Sequence, residues 1–175
     1  MTETTLPAPL WRRLTAAVYD GLLLVGLAFA TVIFFGIGCW ALGVEANENE
    51  KALRFCLFAV GLGFFGGSWT NGGQTLGMRV WQLRVRRLDG SALRWPTAAV
   101  RYAVMSVVWG APMIAVALLS SPTLAARHPN YELPGVAVLA ILTGAFVLSL
   151  LDARKRAPQD WLSGCEVVVE PKQKA

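Results

Sequence analysis

Asp20 stands at the head of a stretch, Gly21 to Val44, that carries no charged side chain, and Arg12 and Arg13 lie just upstream of it. Guanidinium and carboxylate groups placed where a chain enters an apolar phase can do one of two things. They can hold other charges in ion pairs, or they can take up a cation or proton in transit. Arg13 and Asp20 are seven positions apart, about two helical turns and roughly 10 Å along the axis, so they share nearly one helix face but stand too far apart to pair directly. The run after Asp20 has about 24 residues, and at helical rise it reaches roughly 36 Å, more than a hydrocarbon core of about 30 Å. Asp20 is therefore expected near the inner boundary of a membrane, within reach of water. There a structural clamp on Arg101, Arg79 or another inner-loop arginine is favoured over an ion pathway.

The elements that must position these groups are apolar helices. Of 175 residues, 55% are hydrophobic and only 15% charged, with a mean hydropathy of +0.49, too little polar surface for an ordinary soluble domain. The first apolar run is too long for the core of a cleavable signal and is expected to remain as a helix. The sequence predicts an all-α membrane protein of one domain, residues 1–175. Its four transmembrane segments lie at about 14–42, 52–69, 98–119 and 135–151, with an inner loop at about 71–97 and a tail at 152–175. A net charge of +5 and a pI of about 9.5 would suit nucleic acid, but the basic residues are sorted by loop rather than laid in one stripe. Membrane topology accounts for them better, with the loop and both termini on the cytoplasmic side.

The inner loop reads as more than a linker. Around VWQLRVRRLDGSALRW, alternating residues flank an Asp89-Gly90 turn and predict a short cytoplasmic β-hairpin, with Val167 to Val169 of the tail as a further strand. Arg84, Arg86 and Arg87 of the loop, and Arg154, Lys155 and Arg156 of the tail, are expected to contact anionic lipid headgroups at the inner face. In the second segment Gly63 and Gly67 lie four apart and predict a close helix contact. Cys39 and Cys56 are expected to be reduced thiols rather than a disulfide. No nucleotide loop, HExxH helix or Ser/His/Asp set is recognisable, and the three cysteines and one histidine have no metal or haem spacing. No enzymatic activity, cofactor or metal is expected.

Three blocks, WRRLTAAVYD, GQTLGMRVWQLRVRRLDG followed by Arg101, and RKRAPQDWLSGCEVVV, together resemble the hallmarks of the RDD family of prokaryotic integral membrane proteins, named for one arginine and two aspartates. The resemblance places the arginine on Arg13, the first aspartate on Asp20 and the second on Asp160. Gln159 stands where the family usually has His, and Met78 where it often has Lys. The resemblance implies a bacterial inner-membrane protein. Because all three blocks map to the cytoplasmic side, Arg13, Asp20 and Asp160 are expected to form one polar cluster at the inner boundary, with Arg79, Arg101 and Asp152 as candidate partners. The favoured role is a membrane factor that docks lipid or a partner protein at the cytoplasmic face. The alternative, implied by family members similar to monovalent cation/proton antiporters, is transport through Asp20. Four helices are few for such a machine, so that role would call for a homo-oligomer.

Overall fold

The computed structural model describes residues 7–120, 132–152 and 156–170. Helix α1 (Leu10–Leu42) starts directly after Pro9, which sits in extended geometry at the helix entry. It ends where Gly43 adopts a left-handed φ of 67°. There the amides of Gly43 and Val44 turn back onto the carbonyls of Trp40 and Cys39 at 3.1 and 3.0 Å, which satisfies acceptors that a helix end would otherwise leave bare. A 3-10 turn (Ala46–Asn49) leads into α2 (Glu50–Thr70), packed on α1. Both helices are long and apolar enough to cross a membrane. Along α1 the large apolar side chains Leu22, Phe29, Phe34 and Trp40 are exposed, as befits a surface solvated by lipid.

A short helix α3 (Leu76–Val80), strand β1 (Leu83–Arg87), helices α4 (Trp95–Leu119), α5 (Glu132–Leu151) and α6 (Pro158–Ser163), and strand β2 (Cys165–Val169) complete the order. Helices thus cover all four expected apolar segments. Within the bundle α1 packs on α2 and α3, α2 on α4, and α4 on both α5 and α6.

The close contact of α2 is not at Gly63 and Gly67, where an added Cβ would meet open space. It is at Gly61, whose missing Cβ leaves room for the Tyr102 hydroxyl of α4, and at Gly66, which faces the Trp95 ring at 2.8 Å from where a Cβ would stand. Four-residue spacing marked the helix correctly but picked the wrong rows, because the facing side chains are aromatic rings rather than another small-residue ridge.

The sheet also departs from expectation. It has two strands, and they are not a hairpin: β1 pairs antiparallel with β2 of the tail, in the register Leu83↔Val169, Val85↔Val167, Arg87↔Cys165. Across the Asp89-Gly90 turn the Gly90 amide donates to the Arg87 carbonyl and the Arg87 amide to the Ser91 carbonyl, each at 2.9 Å. Ser91 to Arg94 then run on without forming a strand, and Leu93 is buried. Val167, Val168 and Val169 offer a β-branched partner that Ser-Ala-Leu-Arg does not. Pro7 bridges Val168 on the other edge, and the Ala8 amide reaches the Val167 carbonyl at 3.0 Å.

Leu83, Val85, Cys165 and Val167 of the sheet are buried together with Ala8, Ala16, Phe65, Trp69, Met78, Leu93, Ala98 and Tyr102. The dry core therefore lies at one end of the molecule, where sheet and short helices meet the bundle.

Candidate functional site

Two buried carboxylates organise that end. Asp160 is the third residue of α6, whose start is set by extended Ala157 and by Pro158 in the first turn, where proline loses no helical hydrogen bond. From this position its Oδ2 reaches back to accept the Ala157 amide at 3.0 Å. The same oxygen takes a hydrogen bond and ion pair from the Arg13 guanidinium. Oδ1 accepts Nε and Nη2 of Arg101 at 3.2 and 2.6 Å. Asp160 is 0% exposed and Arg101 5%, and the Arg101 guanidinium lies 4.3 Å from the centre of the Trp69 ring, a cation–π contact that helps to hold a desolvated cation. One side chain thus joins the start of α1, the start of α4 and the tail. Burial by itself pushes the Asp160 carboxyl up. The charges of Arg101 and Arg13, with the Arg101 and Ala157 hydrogen bonds, outweigh it and hold the group below the usual carboxylate range.

Asp20, 5% exposed, has a different environment. It is the eleventh residue of α1, and roughly 33 Å of helix follows it, enough for the hydrocarbon core. Its Oδ2 accepts the Thr75 hydroxyl at 2.5 Å and its Oδ1 the Gly77 amide at 2.9 Å. Thr75 is the N-cap of α3 and also accepts the Met78 amide at 3.2 Å. Asp20 therefore supplies, from another helix, an acceptor for one of the amides that start α3, that of Gly77. Gly77 has to be glycine for this contact, since a Cβ there would run into the backbone carbonyl of Ala16 and stand 3.0 Å from the Asp20 carboxylate.

The expected single cluster is thus two. Arg13 and Asp160 are joined, Arg101 is a second partner of Asp160, and among the described residues Asp20 shares no hydrogen-bond partner with Asp160. Among the described residues Asp20 does not clamp an arginine: the Gly77 amide and the Thr75 hydroxyl occupy its oxygens. Arg79 is exposed and makes no ion pair among the described residues. Asp152 belongs to neither group: it accepts Nε of Arg156 at 3.0 Å and Nη2 at 3.1 Å, and these hydrogen bonds hold its carboxyl below the usual range.

Most of the arginines expected at lipid headgroups have acidic partners within the protein. Arg84 pairs with Glu170 at 2.7 Å, Arg86 with Glu166 at 2.8 Å, Arg87 with Asp89 at 3.6 Å and Arg156 with Asp152 at 3.0 Å. Antiparallel pairing explains Arg86, since Glu166 is its cross-strand neighbour. Arg154 and Lys155 lie outside the described residues. Beside the sheet is an open cleft of about 410 Å³, lined by Thr70, Gly73, Arg84, Arg86, Val168 and Glu170. Cys39 and Cys56 are free thiols. Among the described residues no three His, Cys, Asp or Glu side chains gather as a metal site.

Residue reasoning missed α3, and with it Thr75, Gly77 and Gln74, whose amide nitrogen donates to the Leu83 carbonyl and to Glu170, each at 2.8 Å. A threonine before Leu-Gly-Met is a helix-start signal, but a five-residue helix has too little periodicity to be read. In comparisons with known proteins, a family model described as the RDD family matches residues 7–164. No curated protein and no solved structure matches the chain.

Proposed function

This chain belongs to the RDD family, and on that premise we propose that it is a non-enzymatic, multi-pass protein of the bacterial cytoplasmic membrane. In this reading all four long helices cross the bilayer, both termini lie inside, and the inner-face sheet docks lipid or a partner protein. The observation that carries it is the placement of charge. Arg13, Arg101 and Asp160, and the pairs Arg84–Glu170 and Arg86–Glu166, all gather around the sheet and the start of α1 and α4. Such a layout suits a fixed module at one membrane face.

A second reading has its own support. Asp20 is a buried acid on a helix able to cross a membrane, and its partners are a neutral hydroxyl and an amide, so a monovalent cation or proton could compensate it in a homo-oligomeric antiporter.

Two measurements separate the readings. In a cysteine-free background, Glu48→Cys is expected to react with an impermeant reagent in intact cells and Ser91→Cys to stay protected; labelling at position 91 overturns the topology. In proteoliposomes, the docking reading expects no sodium- or potassium-driven proton exchange. Exchange present in the wild type and lost in a folded Asp20→Asn variant makes transport the function.

A further inference from the structure

Among the described residues, Arg12 and Arg79 differ from the paired arginines of the sheet in having no acidic partner. The Arg12 guanidinium lies 5.3 Å from the centre of the Trp11 ring. Arg79 projects from α3 into open surroundings. The elements that carry them meet, because Trp11 stacks edge-on against Trp81 just beyond α3, with ring centres 5.4 Å apart, while Gly77 seats the front of α3 on Ala16 and Asp20. Helix α3 therefore lies along the first turns of α1.

Its outer side carries Leu76, Arg79 and Val80, at the three- and four-residue spacing of one helix face, and Leu76 and Val80 are 52% and 60% exposed. On α1, Trp11 is 54% exposed, and Leu14 and Val18 continue its row. Cations without acids, beside large apolar side chains exposed on two helices, pose a joint demand. A soluble anion would leave the apolar residues in water, and an acyl chain alone would leave the guanidiniums bare. An amphiphile with a negative head meets both.

We propose that Arg12 and Arg79, framed by Trp11, Leu76 and Val80, form a binding site for one anionic phospholipid, whose phosphodiester sits between the two guanidiniums and whose acyl chains lie on the exposed faces of α1 and α3. The site deepens the docking reading above, since it names lipid as a ligand and α3 with the start of α1 as its seat. It also gives α3 a purpose: Asp20 and Gly77 hold the short helix so that its outer face meets the membrane interface.

The test uses the full chain, purified in detergent and stripped of lipid, with native mass spectrometry reading retention of phosphatidylglycerol against phosphatidylcholine of the same acyl chains. Wild type is expected to retain phosphatidylglycerol preferentially. Arg12→Gln with Arg79→Gln is expected to weaken that retention about thirtyfold, since each of the two cations near an anionic head contributes about 1 kcal/mol and about 1.4 kcal/mol is a factor of ten. Arg12→Lys with Arg79→Lys should keep the preference, as should Arg84→Gln, whose cation already has Glu170. Equal retention of the two lipids by wild type overturns the site, as does undiminished retention in the double glutamine variant, an equal loss in Arg84→Gln, or displacement by millimolar inorganic phosphate. Loss of this site with topology and absence of flux intact leaves the docking reading standing. Asp20-dependent flux with lipid preference intact removes that reading and keeps the site.

Discussion

Asp160 and Asp20 are both nearly inaccessible, yet the protein compensates them in opposite ways. Asp160 lies outside the helices able to cross a membrane and is met by two guanidiniums and an amide; Asp20 lies within one of them and is met by a hydroxyl and an amide. The first arrangement is costly to break from either side, because removing the anion strands two desolvated cations. The second is tolerant, because a hydroxyl can donate or accept. Asp160 thus holds together parts of the chain that are far apart in sequence, whereas Asp20 tunes the seating of one short helix.

The contrast would break first at Asp160. Asp160→Asn is expected to lower stability in detergent by about 3–5 kcal/mol, because Arg13 and Arg101 lose their counter-charge in a dry setting; chemical unfolding of the purified variant measures it. The same tie sets the acid response. The folded pKa of Asp160 is held below an unfolded value of about 3.9, so its contribution is complete above that value and is lost as the pH falls through the folded one. Unfolding midpoints taken along a pH series should therefore owe no slope to Asp160 near neutrality and fall on strong acidification, and Asp160→Asn should remove that part of the fall.

On the Asp20 side, Gly77→Ala tests the seat instead of the charge. Its methyl would meet the Ala16 carbonyl, which is backbone and cannot swing aside, so a loss of about 1–3 kcal/mol is expected, with faster protease cleavage around Leu76–Val80. Asp20→Asn should cost only about 1 kcal/mol, since the amide oxygen can keep the Gly77 bond while its nitrogen donates to the Thr75 hydroxyl. Because Asp20 and Asp160 have no common partner among the described residues, the two asparagine substitutions should add within about 0.5 kcal/mol; strong non-additivity would restore a single cluster. The smallest effect is expected at the sheet edge, where Glu170→Gln loosens the partly exposed pair with Arg84 and should change stability by less than about 1 kcal/mol.

Much of this was legible in the chain. Length and apolarity determined the long helices, since a run such as Gly21–Val44 can satisfy its backbone in lipid only by coiling. Gly43 and Pro158 marked a helix end and a helix start, Val167–Val169 announced a strand, and three motif blocks identified the family through Arg13, Asp20 and Asp160. These are local properties, governed by backbone geometry and transfer free energy, and a sequence carries them without knowing its neighbours. Tertiary structure alone decided who meets whom. Strand β1 chose the distant tail over its own downstream segment, Gly61 and Gly66 rather than Gly63 and Gly67 admitted the rings of α4, and the arginines of the sheet found acids. Arg101 went to Asp160 and left Asp20 to Thr75 and Gly77. Each of these outcomes is a competition among several chemically acceptable partners, and such a competition is settled by the distances that packing imposes, which no single stretch of sequence contains.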